Sequence, residues 1–179
     1  MTDVSTTYGQ ALYDLARDEG LSQSILAELT ALDKSLNAEP GFIQLLSSPN
    51  IPKEERVRIL DDSFRGKLHP YVLNFLKILT EKGYIRHFSG CCKMYRQQYN
   101  RDNGIVPVTA YTAIALSAEL RRKLTDKLSA VTGKAIELEC RLDPEALGGV
   151  RLDFDGKQVD GPVRRRLEDI RGILKNTVL

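Results

Sequence analysis

The chain holds two histidines, His69 and His87, in 179 residues. Neither has a neighbouring Cys, a Ser-x-Gly pattern or a carboxylate arrangement that would build a triad around a general base. The acidic pairs Glu54-Glu55 and Asp61-Asp62 are adjacent, so the two carboxylates of a pair cannot share one helix face. They read as solvated helix charges. Gly148-Gly149 lacks the Lys-Ser/Thr that follows the glycines of a phosphate loop. No Cys/His spacing fits a metal site. Cys91, Cys92 and Cys140 include no C-x-x-C and read as small buried or half-buried thiols of a reducing compartment. Arg164-Arg165-Arg166 could meet a phosphate or an acidic partner. The plainer reading is a solvated face near the start of the last helix; there they oppose its dipole at a cost of about a few tenths of a kcal/mol, a small point in favour of an acidic partner. No catalysis, cofactor or metal is expected.

Composition excludes further classes. Lys and Arg number 26 against 24 Asp and Glu, a net charge of +2. Residues 1–104 carry 13 basic and 13 acidic side chains, and 105–179 carry 13 and 11. Neither half has the basic excess of a nucleic-acid binder. No apolar run approaches the roughly 20 residues of a membrane span. Met1 to Thr7 is polar, without a signal-peptide core or Arg-rich transit character, so the chain is expected to stay where it is made.

The elements that would position any site come in two groups. Residues 4–104 read as helices throughout. Tyr8, Ala11, Leu12, Leu15 and Ala16 mark the first, ending before Gly20; Ile25, Leu29, Leu32 and Leu36 mark the second. Phe42 to Leu46 form a short third. Pro52, Glu54 and Glu55 open a fourth, which Gly66 ends. Pro70 opens a fifth that is apolar on more than one face, with Leu73 and Ile78 on its second face, and Gly83 closes it. That second face is either core or a groove for a partner helix. Ile85, Phe88, Cys92, Tyr95 and Tyr99 mark a sixth, ended by Gly104. Six helices with short loops predict a helical bundle.

After Asn103-Gly104 the period changes. Ile105 to Tyr111 reads as a strand, and Pro107 argues for an edge position. Ser117 caps a helix carrying Leu120, Leu124, Leu128 and Val131, closed by Gly133. Ile136, Leu138, Cys140 and Leu142 alternate with charged residues in a half-buried strand. Val150, Leu152 and Phe154 form another, Asp155-Gly156 is a hairpin turn, and Lys157 to Val159 return. Val163, Leu167, Ile170 and Leu174 are the stripe of a final helix, capped by Asp160 or Gly161. The fold class is α+β: a six-helix bundle over 1–104, then a small β-α-β-β-α domain over 105–179.

The ordered C-terminal set Leu147-Gly148-Gly149, Val150 to Phe154, Asp155-Gly156, Asp160-Gly161-Pro162 and Arg164-Arg165-Arg166-Leu167 resembles the signature of the F-type ATP synthase δ subunit family, which includes the oligomycin-sensitivity-conferring protein. The likeness extends to Tyr8-Gly9-Gln10-Ala11-Leu12, Pro52-Lys53 and Asn74-Phe75-Leu76, over the whole order. Pro162 stands where the family has Ser, and Tyr84 where it has Arg, with Arg86 two residues on. The resemblance implies a non-catalytic stator subunit without cofactors. Its N-terminal domain would receive an amphipathic helix of the α subunit of the catalytic head between the first and fifth helices, at Tyr8, Ala11, Leu12 and Ile78. Its C-terminal domain would engage the b subunits of the peripheral stalk, with Gly148, Gly149, Asp160, Arg164, Arg165 and Arg166 on the stalk side in binding or structural roles. The complex would hold it peripherally at the cytoplasmic face of a bacterial plasma membrane.

A second class is an RNA-binding α/β module. Such folds stack bases on sheet aromatics, and the predicted strands offer only Tyr111 and Phe154.

Overall fold

The computed structural model describes residues 3–144 and 150–154. Among them the fold is α+β, with seven α-helices and a three-stranded sheet. The chain divides into two compact units, Met1–Tyr99 and Asn100–Leu179.

The first unit contains α1 (Val4–Asp18), α2 (Ser22–Ala38), α3 (Pro40–Leu46), α4 (Lys53–Phe64), α5 (Pro70–Glu81) and most of α6 (Phe88–Asp102). Its apolar stripes meet in one core that includes Leu12, Ile25, Leu29, Leu46, Leu60, Val72, Leu79 and Tyr95. Ile85, expected to open the sixth helix, instead sits in a 3₁₀ turn, Ile85–His87, ahead of α6. The cause is the end of α5. Gly83 takes φ 76°, which an L side chain rarely adopts, and Tyr84 N–H then reaches back to the Leu79 carbonyl at 2.7 Å. The chain turns too sharply there for an α-helix to resume at once, and Ile85 drops into the core.

One buried and one half-buried polar group tie helix ends to this core. Arg56 is buried and donates from Nη1 to the Leu46 carbonyl at 3.0 Å, satisfying an acceptor that the short α3 leaves open at its C-terminus. Glu28 of α2 accepts the His69 N–H at 2.7 Å, while His69 Nδ1 accepts from the Tyr71 N–H at 3.2 Å and caps α5.

The second unit holds β1 (Ile105–Thr112), α7 (Ala118–Thr132), β2 (Ala135–Leu142) and β3 (Val150–Asp153). Ser117 Oγ accepts from the Leu120 N–H, and Gly133 ends α7 in a left-handed conformation, as the sequence signals require. α7 is the crossover that lets β2 lie parallel to β1, while β3 is antiparallel to β1. Strand order is β2-β1-β3, so β1 is central and the expectation of an edge strand is corrected. The reason is local. β3 pairs only with Thr109–Thr112, so at Pro107 the only strand neighbour among the described residues is β2. The missing proline N–H is tolerated in that half of the strand. Val108 and Ala110 pack with Leu124 and Leu128 of α7, with Leu138, Leu152 and Phe154 against them.

The Gly148-Gly149 pair, Asp160, the arginines 164–166, the Asp155-Gly156 turn, the return strand and the final helix lie outside the described residues.

Candidate functional site

The helices of the first unit set the geometry of the α1–α5 face. α6 runs alongside α1 in the same direction: Ser5 faces Gly90, Gly9 faces Cys91 and Met94, and the Tyr13 and Tyr95 rings meet edge to face at 5.3 Å. α5 runs back against α6 through the Gly83 turn, with the Phe75 and Phe88 rings 6.4 Å apart.

The four residues expected at the docking face differ in exposure. Leu12 is 5% exposed and belongs to the core, so it supports the face from below. Tyr8 is half-buried, its ring set edge-on to Tyr84 with centroids 5.8 Å apart. Ala11 is exposed. Ile78 is 36% exposed, while Leu73, its companion on the second face of α5, is buried. Two further residues join them. Leu15 of α1 is 42% exposed, and Tyr84, in the turn after α5 and against Tyr8, is 36% exposed. The sequence stripe on α1 included Leu15 without marking it as a contact residue. Five apolar positions over nine residues were more than one buried side could cover, and that excess width was the available signal.

Charges nearby are engaged. Lys77 of α5 pairs with Asp61 of α4 at 2.5 Å, and Arg65 reaches the other Asp61 oxygen at 3.2 Å. The Lys77 ammonium beside it, with help from Arg65, holds the Asp61 carboxyl below its ordinary value against the opposing effect of partial burial. Arg86 donates from Nε to Ser47 Oγ at 3.1 Å. Behind the face, burial pushes the Cys91 thiol up to about 11 and the Cys92 thiol and Tyr95 hydroxyl higher still. These groups stay neutral and do structural duty. Among the described residues no cluster of His, Cys, Asp and Glu could hold a metal ion, and no helix is long and apolar enough to cross a membrane.

In the second unit Tyr111 and Phe154 lie on opposite faces of the sheet. Phe154 packs into the α7 side. Tyr111 carries the Arg151 guanidinium over its ring at 4.4 Å, and Arg151 also pairs with Asp143 at 3.2 Å. The two rings cannot form a common stacking platform.

Residues 4–174 match the protein family described as ATP synthase delta (OSCP) subunit. The chain belongs to the ATP synthase delta (OSCP) subunit family. The ATP synthase subunit delta of Lactobacillus delbrueckii subsp. bulgaricus is 34% identical over 176 residues, covering 96% of this chain and 96% of that protein. Those of Alkaliphilus oremlandii and Clostridium kluyveri are 32% and 30% identical, covering 92% and 93% of this chain and 91% and 92% of theirs. The fold is similar to that of a chain in the cryo-EM structure of the Toxoplasma gondii mitochondrial ATP synthase hexamer, with a TM-score of 0.67, 18% identity, and 97% and 98% of the two chains covered. As a delta (OSCP) family member the chain is a structural, non-catalytic subunit of ATP synthase. The comparisons lend no support to the RNA-binding reading, which the separation of Tyr111 from Phe154 already disfavours.

Proposed function

We propose that this subunit is a stator connector. Its N-terminal helices, acting as a six-helix bundle over 1–104, dock the catalytic head by receiving an amphipathic helix of the α subunit along α1 and α5. Its C-terminal domain, 105–179, engages the b subunits of the peripheral stalk, with Gly148, Gly149, Asp160 and the arginines 164–166 on that side. The connection resists the torque of rotation, so proton flow stays coupled to ATP synthesis. Membrane association, at the cytoplasmic face of a bacterial plasma membrane, comes only through the complex.

The observation that carries this reading is the exposure of Leu15 on α1, Ile78 on α5 and Tyr84 in the turn after α5, where the Tyr84 ring lies against Tyr8 of α1. Exposed apolar side chains scattered singly need no explanation, but several on helices of one bundle, two of them aromatic rings in contact, suit a partner helix.

The test is a bridging assay. Catalytic head and a soluble b-subunit segment are mixed with and without this chain and separated by size. Co-elution of head and stalk segment only in its presence supports the proposal. Co-elution without it, or binding to one partner alone, argues against it.

A further inference from the structure

In the second unit the seam between α7 and the sheet is open at one end. α7 runs back from the end of β1 to the start of β2, and Leu124 and Leu128 pack on Val108 and Ala110. Leu120 lies one turn before Leu124 on the same stripe. Leu142 continues the β2 alternation of Leu138 and Cys140, which pack against this core. Both stripes run on past the packed layer: Leu142 is 66% and Leu120 39% exposed. Thr112 brings a third side chain to the same end. It stands across from Leu142 in the β1–β2 register, its carbonyl accepts the Asp143 N–H at 2.9 Å, and its Oγ1 donates to the Ile114 carbonyl at 2.7 Å. Ile114 is 66% exposed, and no residue from Thr112 to Ala118 is charged.

The charges beside this patch divide by sign. Glu119 pairs with Lys123 at 2.6 Å, and Asp143 with Arg151 at 3.2 Å. Arg121 and Arg122, next to Leu120, are exposed and hold no ion pair among the described residues. An apolar patch with unpaired positive charge at its margin suits an occupant that brings apolar side chains and carboxylates together. Two other occupants fit worse. A second copy on the same patch would set arginines against arginines. The chain's own stretch 160–179 is basic, with five Arg and Lys against three Asp and Glu.

We infer that the open end of the α7–sheet seam, lined by Ile114, Leu120 and Leu142, is a docking surface for a protein segment that is apolar on one side and acidic at its margin. The inference rests on the reading that 105–179 engages the peripheral stalk. It gives that contact a place in the fold and a chemistry.

The probe is the soluble b-subunit segment of the bridging assay, titrated against the full chain at low and high salt. Wild type is compared with Ile114→Gln, Leu142→Gln, the double variant Arg121→Gln with Arg122→Gln, and Lys127→Gln. Lys127 is an exposed cation further along α7 and serves as the control. Ile114→Gln and Leu142→Gln are expected to bind at least about tenfold more weakly than wild type. The double arginine variant is expected to bind more weakly at low salt and to lose most of the salt dependence, while Lys127→Gln stays within about twofold of wild type. Undiminished binding by both apolar variants, or an unchanged salt dependence in the double arginine variant, overturns the inference. A Tm lowered by several degrees in Leu142→Gln also overturns it, because the chain's own C-terminal segment then covers the patch. A wild-type dimer that Leu142→Gln dissolves overturns it too, in favour of a second copy. Wild type that does not bind the b-subunit segment at all is a different failure: the stalk reading falls, and the inference falls with it.

Discussion

Gly9 of α1 meets the backbone of α6 at Cys91. A β-carbon at Gly9 would sit 2.6 Å from the Cys91 carbonyl oxygen and 2.8 Å from Met94 Cβ. The crossing sets α1 alongside α6. The proposed docking face on α1 therefore depends on a contact made by another side of the same helix.

Gly9→Ala should destabilise the first unit. In an open helix interior the same change gains roughly 0.5–1 kcal/mol. Here the added methyl overpacks a backbone contact, a cost of about 1–3 kcal/mol. Gly41 in α3 has open space around it and serves as the control, with Gly41→Ala expected to raise stability slightly. Thermal melts of both variants check the sign; an equal rise in Tm for the two would show that α1 and α6 are not that close.

Asp61 gives a pH signature. Its carboxyl is held below the ordinary 3.8, mainly by Lys77. A lowered folded value means the ion pair stabilises the fold above about pH 4 and stops doing so as pH falls through the folded value. Asp61→Asn should therefore melt below wild type at pH 7, with the gap closing toward pH 2. A gap that stays constant across that range would mean the Lys77 contact contributes nothing through charge.

The thiols should separate by reactivity. At pH 8 a thiol raised to about 11 is ionised in roughly one molecule in a thousand, and the thiolate is the reactive form. Cys91 and Cys92 are buried, and Cys140 is half-buried on β2. One thiol per chain, Cys140, is expected to react quickly with a thiol reagent in the native state and all three after denaturation. Mass mapping that finds Cys91 or Cys92 labelled first would mean that the α1–α6 contact opens readily.

Much of this was legible in the sequence, for physical reasons that differ by element. The boundaries at Gly20, Gly83 and Gly133 follow from φ values that only glycine takes freely, so the residues announce themselves. The central place of β1 was not legible, because Pro107 reports only the missing N–H and not how far along β1 the third strand extends. Gly9 was silent for the same kind of reason: a glycine in a helix does not say which backbone approaches it. Of the candidate site, Tyr8, Ala11 and Ile78 could be named from pattern and resemblance. Leu15 showed only in the excess width of the α1 stripe, which does not say which member stays exposed, and Tyr84 belongs to no stripe.

The central claim is that two separable binding functions sit on one chain. Its most direct test measures head binding and stalk binding on the same preparations of wild type, Ala11→Asp and Gly149→Asp. Ala11→Asp places a charge on the exposed face of α1, where burial against a partner helix would cost about a few kcal/mol. It is expected to lose the head and keep the stalk. Gly149→Asp is expected to lose the stalk and keep the head. If either variant loses both partners equally while still folded, or neither, the two-site connector account is contradicted.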